Sequence, residues 1–443
     1  MRSLLPGAIV LLLLGAFALL GPDAPVRMER EIYREVLHLA SENPSVSASS
    51  ETFRPESIHR SPARAVLAFG RRVFSCAGND LRAMRLAVAL IVALAFSLAA
   101  RGLDAPCGGY GILLGLGSAL VSPSLLGWWR IAAIEPVFLA LAIASLVAVA
   151  RADAPRGALV AGVLLGLAIG TKVSGLVLLA GAWWHLPRLL RRRLLLGVIA
   201  GFLLQWPRVL LDPTLPIRHL DAWSGAKPPS LFFGQWTAPP WFAPPILLAF
   251  GTPPLVFAMG VTGFFRREPL YRLLAKTFLV GLAAAVLLHA ELENGTRHLL
   301  PLILIMHLAG GFEFARRILV FPRATRALLV VGYLLPLLLA DLRIHPASLS
   351  YWSEAIWGLR GARALGIEVT WAGEALPPQD ADAWMIGPMG PTNLPYKRWP
   401  DPSGRRADTG PRLLLLSGTG EVPADARVAL EREGVPLVAS FSR

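Results

Sequence analysis

The stretch "GVLLGLAIGTKVSGLVLL", residues 162–179, is apolar on both sides of a single charge, Lys172. A charged side chain at the centre of a bilayer costs about 2.5–3.5 kcal/mol on insertion scales, so such residues are rare and mark function. Whether Lys172 sits at such a depth depends on how the chain crosses the membrane around it. If residues 157–187 formed one helix, Arg156 and Arg188 would lie on opposite sides of the bilayer. The other basic clusters are Arg2, Arg101, Arg151 with Arg156, "RLLRRR" at 188–193, Arg266 with Arg267, and Arg316, Arg317, Arg323 and Arg326. All of them fall on one face, as cytoplasmic charge does, only if 157–187 crosses twice. The stretch is therefore expected to be two short helices meeting at Thr171-Lys172. Each would have about 15 residues and span about 22 Å at 1.5 Å per residue. The turn then sits just inside the far surface, in protein or a wet cavity, with Lys172 near the non-cytoplasmic face.

The same reading extends along the chain. It has 443 residues, 54% of them hydrophobic, with a mean hydropathy of +0.55, more apolar than a soluble protein of this size. Candidate spans are 4–20, 84–100, 109–127, 131–150, 157–171, 173–187, 194–211, 242–264, 271–290, 297–314 and 326–341, each an apolar run approaching the length a bilayer requires. The run at 4–20 is followed by "GPDAPVRM", which lacks a small-x-small cleavage site, so it reads as an uncleaved first helix. This gives an all-α polytopic membrane protein of about eleven transmembrane helices, with the N-terminus cytoplasmic and the C-terminus outside. The net charge of +14 comes mostly from Arg, with only four Lys. Because the cations punctuate apolar runs, they read as topology signals and not as a nucleic-acid surface. The Arg bias hints at a GC-rich bacterial genome. Cys76 and Cys107 fall on opposite sides in this topology, so neither a disulfide nor a cysteine metal site is expected.

Three outer segments stand apart. Residues 21–81 hold "MEREIYREVLHLA" (28–40) and "HRSPARAVLAFGRRVF" (59–74), both with helical periodicity and suited to lying on the membrane surface. Residues 212–241 form a second outer loop. Residues 342–443 differ in composition and read as a small extramembrane α/β domain, separate from a transmembrane domain at 1–341. There "VTWAG", "ADAWMI", "RLLLLSG" and "VPLVASF" read as strands, and "PADARVALEREG" (423–434) as a helix ended by Gly434. "GGYGILLGLG" (108–117) lies in a span and reads as a site of close helix packing. Trp128, Trp129, Trp183, Trp184, Trp236 and Trp241 read as an interfacial belt.

The outer loops carry few charged groups, and these are clustered: Glu29, Glu31 and Tyr33; His59; Arg130 and Glu135; Lys172; His219, Asp221 and Gln235; and Glu291, Glu293, Arg297 and His298. Such a set can line a cavity with carboxylates for base work and cations for a phosphate. For each the plainer reading stands beside it. Lys172 can snorkel from a helix end, "MEREIYREV" can be a solvated amphipathic helix, Arg297 can be an ordinary juxtamembrane arginine, and the loop histidines can be incidental.

Six segments, in order, resemble the motifs of the GT-C glycosyltransferases of the protein-mannosyltransferase-like type (glycosyltransferase family 39 and relatives), over most of residues 1–375. "GVLLGLAIGTKVSGLVLL" is similar to the family's glycine-rich T-K signature, and "HRSPARAVLAFG" to its H-P-P stretch. "WWRIAAIEPVFLALAIASL" resembles its second acidic site, with Glu135 in place of Asp. "HLDAWSGAKPPSLFFGQWTAPPWFAPPILLAFGTPP" resembles a long outer loop, "NGTRHLLPLILIMHLAGG" the n-x-R-Y-l-l-P motif, and "HPASLSYWSEAIWGLRGARALGIEVTWAGEAL" a tail seen in some members. The resemblance implies sugar transfer from a polyprenyl-phosphate donor to a lipid, glycan or protein acceptor at the periplasmic face, with inversion. It implies Glu29 or Glu31 as the general base, Lys172 and Arg297 as ligands of the lipid phosphate, and Tyr33, His59, Glu135, His219 and His298 as substrate contacts. Some such enzymes use a divalent metal ion, for which Glu29, Glu31 and Glu135 are the candidates. The family's D-E-x-x-Y becomes Glu29-Arg30-Glu31-Ile32-Tyr33 here. Because about 1 Å of misplacement can cost on the order of 100-fold in rate, the altered pair leaves two rivals to an active transferase: a non-catalytic polyprenyl-lipid-binding or scaffold relative, and a lipid-sugar flippase, which would need charges and broken helices at mid-membrane.

Overall fold

The break expected in the opening stretch is present in the chain's structure, a computed structural model. That structure describes residues 5–20, 62–103, 107–131, 133–214, 230–237, 240–287, 297–344 and 351–367, and beyond them the strands of a C-terminal sheet with residues 422 and 434. The described helices are α1 (Leu5–Leu20), α2 (Pro62–Val73), α3 (Asp80–Gly102), α4 (Gly109–Val121), α5 (Pro123–Trp129), α6 (Ile134–Ala150), α7 (Pro155–Thr171), α8 (Leu176–His185), α9 (Arg188–Gln205), α10 (Ala243–Gly251), α11 (Pro254–Phe264), α12 (Pro269–Leu287), α13 (Leu300–Ile318), α14 (Arg323–Ile344) and α15 (Gly358–Ala364). Every run read as a span has a helix, and α2 occupies the second amphipathic stretch. The protein is an integral membrane protein, built from helices with a small sheet near its C-terminus. Three helices, α3, α12 and α14, are long and apolar enough to cross a bilayer as continuous rods. Two expected spans are broken pairs: α4 and α5 meet at 71°, and α10 and α11 at 118°. Pro123 and Pro254 open the second member of each pair, at the position where a missing N–H costs least.

The chain divides into two compact units. The first comprises Met1–Leu116, Trp128–Gly225 and Gly263–Gly281. Asn79 starts α3, its Oδ1 accepting from the Arg82 N–H at 2.8 Å, and Arg151 ends it by donating to the carbonyls of Gly102 and Arg101 at 2.7 and 2.8 Å. These side chains satisfy backbone groups that a helix end leaves open. The tightest seam joins α7 to α9. A Cβ on Gly162 would meet the Leu194 carbonyl, one on Gly166 that of Val198, one on Gly197 that of Leu159, and one on Gly201 that of Val163. Glycine at four-residue spacing on both helices brings the two backbones into contact, which drives packing where the surroundings are as apolar as the helices. Within 108–117, where close packing was expected, a Cβ on Gly108 or Gly109 would meet nothing within 4 Å, and one on Gly117 only the Leu334 side chain at 3.6 Å.

The second unit comprises Gly117–Gly127, Ala226–Thr262 and Leu282–Arg443. Here one helix break is capped from the other and from Ser353. Ser124 Oγ donates to the Gly251 carbonyl at 2.8 Å, and the Ser353 N–H to that of Phe250 at 2.7 Å, so the last carbonyls of α10 are satisfied inside protein, as irregular backbone at membrane depth requires. Strands β1 (Ser230–Phe232) and β2 (Gln235–Thr237) form a hairpin, whose Gly234 N–H donates to the Gly366 carbonyl at 3.0 Å. The C-terminal sheet runs β4 (Arg398–Trp399), β3 (Ala383–Ile386), β5 (Leu413–Leu416), β7 (Val435–Phe441), β6 (Ala426–Arg432). Strand β3 is parallel to β4 and β5, while β7 is antiparallel to β5 and β6.

Two expectations are overturned. The helix read at 423–434 is strand β6, with Arg432 paired to Val435 across a two-residue turn. Gly434, at φ +72°, takes the left-handed conformation that either a helix C-cap or a tight hairpin requires. Trp128 and Trp129 are buried, not interfacial; Trp129 is 0% exposed and meets Phe96 edge-to-face at 5.7 Å. Trp183, Trp184 and Trp241 are exposed. The helical stretch 28–40 and the strand at "VTWAG" lie outside the described residues.

Candidate functional site

Glu135 and Lys172, read separately in the sequence, form an ion pair in the first unit, Nζ to Oε1 at 3.3 Å. Their side chains are 1% and 7% exposed. Local sequence puts each at a helix end. Ala133 is extended, and α6 starts at Ile134, so Glu135 lies in its first turn, where the helix dipole favours an anion. Lys172 is the C-cap of α7, extended at φ −153°, where the dipole favours a cation. A 3-10 turn, Val173–Gly175, then leads into α8.

The break itself is held from α9. Gln205 Nε2 donates to the Leu167 carbonyl, and Trp206 Nε1 to that of Gly170 at 3.2 Å. Thr171 Oγ1 donates back to Leu167 at 2.7 Å. A Cβ on Gly170 would collide with the Gln205 amide, so glycine there lets the cap approach. The backbone of Lys172 is thus anchored on one side by α9, and its ammonium is held on the other by α6. A buried pair of this kind is weak evidence for stability, since desolvating two charges offsets their attraction. It is stronger evidence for a positioned, usable charge.

The remaining candidates do not gather here. Arg297 opens a 3-10 turn, Arg297–Leu299, that leads into α13 in the second unit; His298 follows it, half-buried. Glu29, Glu31, Tyr33, His59 and His219 lie outside the described residues. Among the described residues no group of three His, Cys, Asp or Glu is placed to hold a metal ion, and of the three glutamates suggested for one only Glu135 is described. Sequence reading missed Gln205 and Trp206, whose only signal was their place at the end of a helix rich in small residues. It also missed Glu313, 0% exposed on α13 and paired with Arg316 and Arg317 at 3.2 and 2.9 Å.

In the second unit, two motif segments meet. The FFG turn of the β1–β2 hairpin lies against Gly366 at the end of the "YWSEAIWGLRGARALG" tail. Tyr351 OH and Arg343 both bind the Glu354 carboxylate, at 2.9 and 3.1 Å.

Broken apolar helices, a helix break carrying a buried lysine, and a small C-terminal sheet make up this fold. A particular relative shares it: ArnT from Cupriavidus metallidurans, whose apo structure superposes with a TM-score of 0.50 at 17% identity, over 77% of this chain and 72% of that one. The structure of the same protein bound to undecaprenyl phosphate gives a TM-score of 0.48 at 16% identity, over 77% and 71%. No family model matches the sequence, and no curated protein matches it.

Proposed function

We propose that the protein is a membrane glycosyltransferase that moves a sugar from a polyprenyl-phosphate donor to a lipid, glycan or protein acceptor, with inversion, at the periplasmic face of a bacterial inner membrane. The observation that carries this reading is the buried Glu135–Lys172 pair at the break between α7 and α8, on a fold shared with ArnT, a protein also solved with undecaprenyl phosphate bound.

Lys172 supplies a fixed ammonium for the donor phosphate, whose charge grows as the sugar departs. Interactions that strengthen in that direction accelerate the chemical step. Glu135 holds the ammonium in place until the phosphate arrives. Arg297 is the second phosphate ligand, Glu29 or Glu31 the base that deprotonates the acceptor, and Tyr33, His59, His219 and His298 line the substrates. Residues 342–443 form a periplasmic domain, the N-terminus is cytoplasmic, and a divalent ion at Glu29, Glu31 and Glu135 is a further element of the proposal.

The test is transfer of labelled sugar from a polyprenyl-phosphate donor in membranes, comparing wild type with Glu29→Gln, Glu31→Gln and Lys172→Ala. Wild type transfers; one glutamine variant loses turnover and keeps donor binding; Lys172→Ala binds donor about 10- to 100-fold more weakly, the value of a hydrogen bond to a charged group. The altered Glu29-Arg30 pair favours one rival, a protein that binds lipid without transfer. Donor binding with no turnover across a broad panel of donors and acceptors would establish that rival and refute the transferase.

A further inference from the structure

Away from the proposed catalytic centre, the junction of α8 and α9 faces the start of α12. The helices touch closely, since a Cβ on Gly181 would collide with Thr277. Four arginines, Arg188, Arg191, Arg192 and Arg193, occupy the first six positions of α9, and Arg272 and Lys276 the first two turns of α12. Two of these cations are used locally. Lys276 Nζ donates to the Trp184 carbonyl at 3.1 Å and lies 5.6 Å from the centre of the Trp184 ring. Arg191 Nε donates to the Leu186 carbonyl at 3.1 Å, its guanidinium 5.3 Å from the Trp183 ring. Arg272 and Lys276 both stand near enough to the His185 imidazole for their charges to act on it. Arg188, Arg192, Arg193 and Arg272 are exposed and make no ion pair among the described residues; Glu268, the carboxylate one turn before Arg272, is exposed too.

This arrangement works against the isolated protein. Arg188, Arg191 and Arg192 are three and four residues apart on one helix face, where like charges repel. They also sit at the positive end of the α9 dipole, which favours anions. Below them the same face turns apolar and stays exposed: Leu196 and Ile199, four and seven residues beyond Arg192, are 47% and 55% exposed. A ligand that reverses these costs carries an anion beside a hydrocarbon chain.

We infer that this junction binds the headgroup of an anionic phospholipid, its phosphate among Arg188, Arg192, Arg193 and Arg272 and an acyl chain along Leu196 and Ile199. The exposed Trp183 and Trp184 rings mark the headgroup level. Charge complementarity and the adjoining apolar stripe select the lipid over a soluble anion. The site is independent of the sugar-transfer reading.

The full-length protein in phosphatidylcholine nanodiscs doped with phosphatidylglycerol, released and weighed by native mass spectrometry, retains phosphatidylglycerol over phosphatidylcholine. The variant Arg188→Gln/Arg192→Gln/Arg193→Gln lowers phosphatidylglycerol affinity about 125-fold, at about fivefold per surface cation, with an unchanged thermal midpoint in phosphatidylcholine alone. The corresponding triple Lys variant keeps binding. Arg272→Gln, on a different helix, lowers it about fivefold and serves as the reading if the triple Gln variant fails to fold. Equal retention of the two lipids, retention unchanged in the Gln variants, or equal displacement by inorganic phosphate at matched ionic strength would each overturn the assignment.

Discussion

Removing one member of the Glu135–Lys172 pair leaves the other charged and buried. At 3.3 Å and an effective dielectric of about 20, the attraction is about 5 kcal/mol. Desolvation of both groups offsets much of it, so either single truncation is expected to cost about 3–5 kcal/mol. The perturbation is a double-mutant cycle of Glu135→Gln, Lys172→Met and the two together, read by equilibrium unfolding of purified protein in mixed micelles. The double variant loses both charges at once and costs less than the sum of the singles, with a coupling of at least about 1.5 kcal/mol. Distant, uncoupled sites add to within about 0.5 kcal/mol, so additivity at that level refutes the buried pair. Donor binding supplies a second reading with opposite signs. Lys172→Met weakens binding of the polyprenyl phosphate, whereas Glu135→Gln removes the competing internal anion and tightens it about tenfold, even as it destabilises the fold. Loss of binding in both variants would refute the exchange of the Glu135 carboxylate for the donor phosphate.

Gly162→Ala drives a methyl into the Leu194 carbonyl across the α7–α9 seam and lowers stability by about 1–3 kcal/mol, whereas Gly332→Ala in the exposed middle of α14, with nothing within 4 Å, raises it by up to about 1 kcal/mol; thermal midpoints of the two variants separate these outcomes, and equal midpoints would remove the seam. Gly434→Val places a β-branched residue at φ +72° and costs roughly 1–2 kcal/mol, visible as faster proteolysis within 413–441 while the helical core stays protected.

Charge bookkeeping alone located the break at Lys172, because a straight helix would have put Arg156 and Arg188 on opposite sides. Apolar run length located every helix of the membrane region for a similarly local reason: burial in lipid demands continuous hydrophobicity. What the sequence could not reveal was pairing at a distance. Glu135 and Lys172 are 37 residues apart, on different helices, and no periodicity links them. The α7–α9 seam reads in sequence as glycines in two apolar runs, no different in kind from Gly108 and Gly109, where an added Cβ would meet nothing within 4 Å. Residues 426–432 misled for a related reason. "ARVALER" is composed of good helix formers, but pairing with the Val435–Phe441 strand overrides intrinsic preference, as it commonly does in sheets. Composition alone suggests an interfacial place for the tryptophans at 128 and 129, whereas in the fold both are buried, Trp129 edge-to-face on Phe96.

A sequence that needed only stability at residue 172 would have had an easier solution. An apolar pair of similar volume is often as stable as a buried ion pair, or more so, and the rest of "GVLLGLAIGTKVSGLVLL" is apolar. The lysine is instead set at a helix end with its last carbonyls capped from outside by Gln205 and Trp206, and Gly170 gives that cap room. A carboxylate supplied from α6 pairs with the ammonium at 3.3 Å, and another anion such as a phosphate can take its place. The cost of burying the pair is then recovered only when a ligand of negative charge is present. This is the energetic pattern of a binding site and not of a strut, and it supports assigning the donor phosphate to Lys172 over the snorkelling that its sequence position alone would allow.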